Sequence, residues 1–150
     1  MGTVTRISCW CYRDLGAGAS FKLIIVKASD LTIVTNGISN AGGVPSGANA
    51  AAATQVDLTF ATAPVLAAST DYFLMMIHND SDWAVYLNYD AGTTNQEYVD
   101  SSNNYTTPTN PTDAVPSGYP DTKVCIWVTY TPAVAGGVIS PKRTLLGVGT

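Results

Sequence analysis

Apolar residues in this chain recur at every second position, and nowhere at the 3.6-residue spacing that would give a helix an apolar stripe. The pattern is cleanest at 54–60 (TQVDLTF). There Val56, Leu58 and Phe60 fall on one side and Gln55, Asp57 and Thr59 on the other, as in a strand with one buried face. In 3–13 (TVTRISCWCYR), Ile7, Cys9 and Cys11 share one face and Arg6, Ser8, Trp10 and Tyr12 the other. Residues 21–28 (FKLIIVKA) are apolar on both faces, which suits a central strand.

Further strands are expected at 31–35, at 71–78 (DYFLMMIH), at 82–90 (DWAVYLNYD), at 95–99 as a short edge, and at 122–131 (TKVCIWVTYT). In the last of these Val124, Ile126, Val128 and Tyr130 point inward, and Pro132 ends it. Only Asn79-Asp80-Ser81 separates 71–78 from 82–90, so that pair reads as a hairpin. Residues 36–53 and 91–121 are rich in Gly, Ala, Ser, Asn, Thr and Pro and read as long loops, with room for one helical turn at 48–53.

Composition agrees. Charged residues make up 12% of the chain, about half the usual ~25%. Glu97 is the only glutamate, and Thr, Ser, Asn and Gly take the place of the Glu and Lys that normally coat helices. The expected fold is therefore all-β: an antiparallel β-sandwich, jelly-roll-like, formed by residues 1–132, with 133–150 as an extended C-terminal arm. A chain of 150 residues matches a single domain and buries enough surface for one core without metals or disulfides.

The segment VDLTFATAPVLAASTDYFLMMIHNDSDWAVYLNYD, the PSGYP loop and the closing KVCIWVTYT strand resemble a β-sandwich module that recurs in bacterial extracellular proteins and phage virion proteins. Thr70, Tyr72, Leu74, Tyr86, Tyr89, Tyr119, Pro120, Ile126 and Tyr130 carry the resemblance, over roughly residues 4–131. It implies a binding or structural module without catalysis. The 133–150 arm favours the virion branch.

Residues 1–135 hold five Lys/Arg against eleven Asp/Glu, a net of −6; the remaining fifteen hold Lys142 and Arg143 and no acid, a net of +2. An acidic body does not suit nucleic acid, which asks for a basic face. Arg6 and Arg13 interrupt any signal-like N-terminus, and no apolar run is long enough to span a membrane. The expectation is a virion or extracellular protein, with no membrane partner.

Candidate chemistry is sparse. His78 is the sole histidine, and no Gly-x-Ser-x-Gly or phosphate-binding glycine loop is present. Cys9, Cys11 and Cys125 are odd in number and read as small buried hydrophobes, although Cys125 paired with Cys9 or Cys11 is an alternative. The Asn79–Asp82 cluster reads as a turn before it reads as a calcium loop. No cofactor and no metal are expected.

The leading reading is a non-enzymatic virion structural protein, a capsid decoration or tail-associated jelly roll. It forms a homo-oligomer with other virion or self subunits through an arm carrying Ile139, Lys142, Arg143, Leu145, Leu146 and Val148. A second reading is a carbohydrate-binding module using outward aromatics: Trp10, Tyr12, Tyr86, Tyr98, Tyr105 and Tyr119. A third is a self-polymerising extracellular fibre subunit.

Overall fold

The computed structural model describes residues 1–12, 20–44, 52–79, 86–87, 89–91, 98–99, 105–111, 115–116 and 122–133. All regular structure among them is β. The strands are β1 (Gly2–Tyr12), β2 (Ser20–Lys27), β3 (Ile33–Ile38), β4 (Gly42–Gly43), β5 (Thr54–Leu58), β6 (Val65–Leu66), β7 (Tyr72–His78), β8 (Tyr86–Leu87), β9 (Tyr89–Ala91), β10 (Tyr98–Val99), β11 (Val115–Pro116), β12 (Thr122–Val124) and β13 (Ile126–Pro132).

Two antiparallel sheets face each other. β1 is the middle of the first. β13 lies on one side of it (Ile7 opposite Val128, Cys9 opposite Ile126) and β5 on the other (Ile7 opposite Leu58, Cys9 opposite Val56). β6 continues the β5 side and β8 the β13 side, because Cys11 is paired to both Thr54 and Leu87. β2 is the middle of the second sheet, with β7 along one side and β3 and β4 in succession along the other. These pairings establish the antiparallel sandwich; they do not trace a jelly roll. The 133–150 arm lies outside the described residues beyond Ala133.

The core follows from the alternation. Val4, Ile7, Cys9 and Cys11 of β1 meet Phe21, Leu23 and Ile25 of β2, all with no exposed surface. Val4 and Ile7 are three apart, not two. A register shift between Val4 and Arg6 inserts one residue and keeps both side chains inward. Leu58, Leu66 and Ile126 close the same core.

The outer face of the second sheet is buried as well, which is why 21–28 is apolar throughout. Ile24, Val26 and Ile77 gather with Leu31, Ile33, Ile38, Phe73, Met75 and Tyr105. Residues 105–111 are fastened over this face. The Lys22 ammonium donates to the Tyr105 carbonyl (3.0 Å) and sits 4.6 Å from its ring centroid, and the Ile33 amide donates to Asn110 Oδ1 (2.8 Å).

Where β3 ends and β4 has not begun, β2 would lack a partner. Ser39 fills the gap. Its Oγ accepts from the Leu23 amide at 2.9 Å and donates to the Asn40 carbonyl, and its own amide donates to the Leu23 carbonyl. Ser39→Ala is expected to leave the buried Leu23 N–H unsatisfied and to cost about 1–3 kcal/mol in a urea titration. Asn40 then ties the two sheets, its amide donating to the Thr59 carbonyl and its side chain to Thr59 Oγ1.

Several sequence-based boundaries move. The strand expected at 31–35 runs from Ile33 to Ile38, because Leu31 sits at positive φ closing the turn after β2. The loop expected over 36–53 contains β4; Ala52 lies in a bridge, and 48–51, where most of the helical turn was expected, lie outside the described residues. The strand expected at 122–131 breaks at Cys125 into β12 and β13. β10 is paired with β11, a partner the composition of 91–121 did not signal.

The expected hairpin of 71–78 with 82–90 is corrected. Tyr86–Leu87 pairs with β1 in the first sheet, whereas β7 pairs with β2 in the second. The connection therefore crosses between layers. Half-buried Leu87 reaches the shared core from the opposite side, a choice that period-two alternation does not encode.

Candidate functional site

The sequence-derived candidates scatter over the molecule. Trp10 stands on the outer face of the first sheet and is 39% exposed. Tyr12 is half-buried at the end of β1 and packs against the core cluster. Tyr105 is half-buried in the outer cluster under Lys22, so its ring is taken up by packing. Tyr86 and Tyr98 have described backbones in β8 and β10, with side chains outside the described set. Tyr119, Ile139, Lys142, Arg143, Leu145, Leu146 and Val148 lie outside the described residues altogether. A single aromatic platform is not assembled from the described members.

The groups considered for chemistry are also dispersed. His78 is half-buried at the end of β7, opposite Phe21. Asn79 closes the β2–β7 pair: its Oδ1 accepts from the Ser20 amide at 2.8 Å, and its amide donates to the Ser20 carbonyl. That is a strand-end clamp between distant segments, not a turn; Asp80, Ser81 and Asp82, which with Asn79 were expected to form a turn, are outside the described residues. Among the described residues no group of His, Cys, Asp and Glu is arranged to hold a metal ion.

No disulfide joins Cys9, Cys11 and Cys125. Cys9 and Cys11 are fully buried neighbours on the inner face of β1. A hydrogen bond with Cys11, together with burial, holds the Cys9 thiol far above its ordinary range. Cys125 lies across from Trp10, whose amide donates to its carbonyl at 2.9 Å. It is half-buried, on a different part of the sheet from the inward pair. Brief alkylation of the native protein is therefore expected to modify Cys125 first, with Cys9 and Cys11 labelled only in denaturant; intact mass reads the adducts.

Two surface features stand out. The first is a polar chain on the outer face of the first sheet. Gln55 Nε2 donates to Asp57 Oδ1 (2.8 Å), and Arg6 Nη1 pairs with Asp57 Oδ2 (3.0 Å). The Gln55 hydrogen bond foremost, then the Ser8 hydroxyl, and last the Arg6 charge hold the Asp57 carboxyl below the usual carboxylate range. A lowered folded pKa adds stability above the ordinary value, and that stability is lost as pH falls through the lowered one. With both partners exposed, the contribution is small.

The second feature is the pole where the chain enters β1 and leaves β13. Gly2 is opposite Pro132, and the Ala133 amide donates to the Met1 carbonyl at 2.9 Å. Met1 (68%) and Val65 (51%) are exposed there, and Thr3 is opposite Val65. A shallow groove of about 280 Å³ opens beside Met1, lined by Met1, Leu66, Tyr72 and Tyr130 and by the polar Ser69, Thr70 and Asp71 among others.

Comparison with protein-family models, with curated proteins and with solved structures finds no match to this chain.

Proposed function

We propose that this chain is a non-enzymatic structural module of a virion, a capsid-decoration or tail-associated sandwich, that assembles with further copies of itself through residues 133–150. The supporting observation is the pole just described. Of the three large hydrophobic residues exposed among the described set, Met1 and Val65 sit at this pole, which also carries the groove. The chain leaves the sandwich at the same place, at Ala133. The residues that follow carry Ile139, Leu145, Leu146 and Val148, apolar groups that burial against a neighbour would cover. The groove of one copy and the arm of the next are a matched pair, and Lys142 and Arg143 bring positive charge to an acidic body.

The test is the full-length protein with Leu145→Asp and Leu146→Asp together. The expected result is loss of the assembled species in sedimentation velocity, with the melting temperature of the sandwich unchanged. Assembly equal to that of the unaltered protein would overturn the proposal.

A further inference from the structure

We infer that the outer face of the first sheet carries a binding site for a neutral saccharide, centred on Trp10. The site is distinct from the assembly pole, and the inference does not rest on the assembly reading. Trp10 and Gln55 are directly opposite each other in the β1–β5 register, and Asp57 is opposite Ser8 two residues away. All three side chains therefore stand on one face of the sheet. Trp127 is opposite Ser8 on the other flank, which puts a second indole on that face, diagonal to Trp10.

The exposed indole stands on a largely polar surface, with half-buried Trp127 diagonal to it and exposed Val65 at the far end of the strand, opposite Thr3. Gln55 and Asp57 are exposed beside it, and Thr5 and Thr129, then Thr3 and Thr131, continue an exposed polar strip along the strands. A protein partner generally needs a broad patch with an apolar centre. An exposed aromatic ring bordered by planar polar groups fits a ligand of ring size. A pyranose has that chemistry: its C–H face stacks on an indole and its hydroxyls each donate and accept.

The polar border is held in place before any ligand arrives. Gln55 and Arg6 are both tethered to Asp57. Gln55 keeps its carbonyl oxygen and its second N–H, Arg6 keeps further N–H donors, and Asp57 keeps lone pairs. Rigid donors and acceptors on strands lose little freedom on binding. Charge decides the ligand class. Arg6 and Asp57 cancel, so the patch itself is neutral, and the acidic chain, −4 overall, disfavours an anionic sugar.

The experiment is calorimetric titration of the full-length protein with glucose, galactose, mannose and N-acetylglucosamine and with their β-linked dimers. Saturable binding of at least one is expected. Trp10→Ala is expected to weaken it by about tenfold or more, with Trp10→Phe retaining part of the affinity. Gln55→Ala, at an exposed position, keeps the test valid should the tryptophan variant fold poorly; it is expected to weaken binding at an unchanged melting temperature. No saturable binding across the panel would overturn the inference. So would binding of equal strength in the Trp10→Ala and Gln55→Ala proteins, or a Trp10→Ala protein whose only change is a smaller assembled mass, which would make this face a protein interface.

Discussion

Phe21→Ala is expected to destabilise the sandwich by about 3–5 kcal/mol, the range for deleting a buried phenylalanine. Phe21 has no exposed surface and is among the largest fully buried side chains. It lies on β2, the middle strand of the second sheet, and belongs to the same cluster as Ile7, Cys9 and Cys11 on the middle strand of the first. Neither central strand is free to close onto the void, since each is held by hydrogen-bonded partners on both sides. Domains are commonly stable by only about 5–15 kcal/mol, so this one change removes a large share of the margin. Urea titration checks it. Half-buried Phe73, on the outer face of the same sheet, is the control, and Phe73→Ala is expected to cost clearly less.

Gly37→Ala is expected to be the next most damaging change, at about 1–3 kcal/mol, although it adds a single methyl group. A Cβ at Gly37 would lie 2.7 Å from the Val34 carbonyl oxygen and 3.0 Å from that of Ile25. Both are backbone atoms and cannot swing aside as a side chain can. Asn36 precedes it at a φ of 62°, and the β2–β3 register shifts between Ile24 and Val26. The Asn36-Gly37 pair thus forms a bulge within β3, and the missing Cβ is what lets the strand stay against β2. Gly42→Ala tests a softer version of the same constraint. Its Cβ would meet the Leu58 Cδ2 methyl, which has rotamers available. A thermal melt of the two variants is expected to place Gly37→Ala below Gly42→Ala.

These residues show what the sequence discloses and what it hides. Alternation in β5, and in β1 from Arg6 to Cys11, names the inward and outward faces, down to Gln55 and Asp57 outside and Val56 and Leu58 inside, whereas the bulge that turns Val4 inward breaks the period. The doubly apolar run of β2 reads as a central strand, and it is one, because Tyr105 and its neighbours cover the second face. Two-residue strands such as β4 and β6 leave no periodic trace. Asn36-Gly37 was legible only as the start of a loop, since the same dipeptide marks turns and bulges alike.

Which sheet a strand joins is set by long-range packing. The 71–78 and 82–90 segments therefore look like a hairpin, while Tyr86–Leu87 belongs to the other layer. For the candidate site, Trp10 was visible as an outward aromatic. Its partners were not, because only the β1–β5 register brings Gln55 and Asp57 beside it, some 45 positions along the chain.

The measurement that bears most directly on the proposed assembly is the solution mass of the full-length chain by light scattering across a concentration series, beside the chain lacking 136–150. The account predicts a discrete oligomer or filament for the first and a single chain for the second, with the β-rich circular dichroism spectrum retained. A full-length protein that stays at its 15.7 kDa chain mass at every concentration, or a truncated one that assembles just as well, would contradict it.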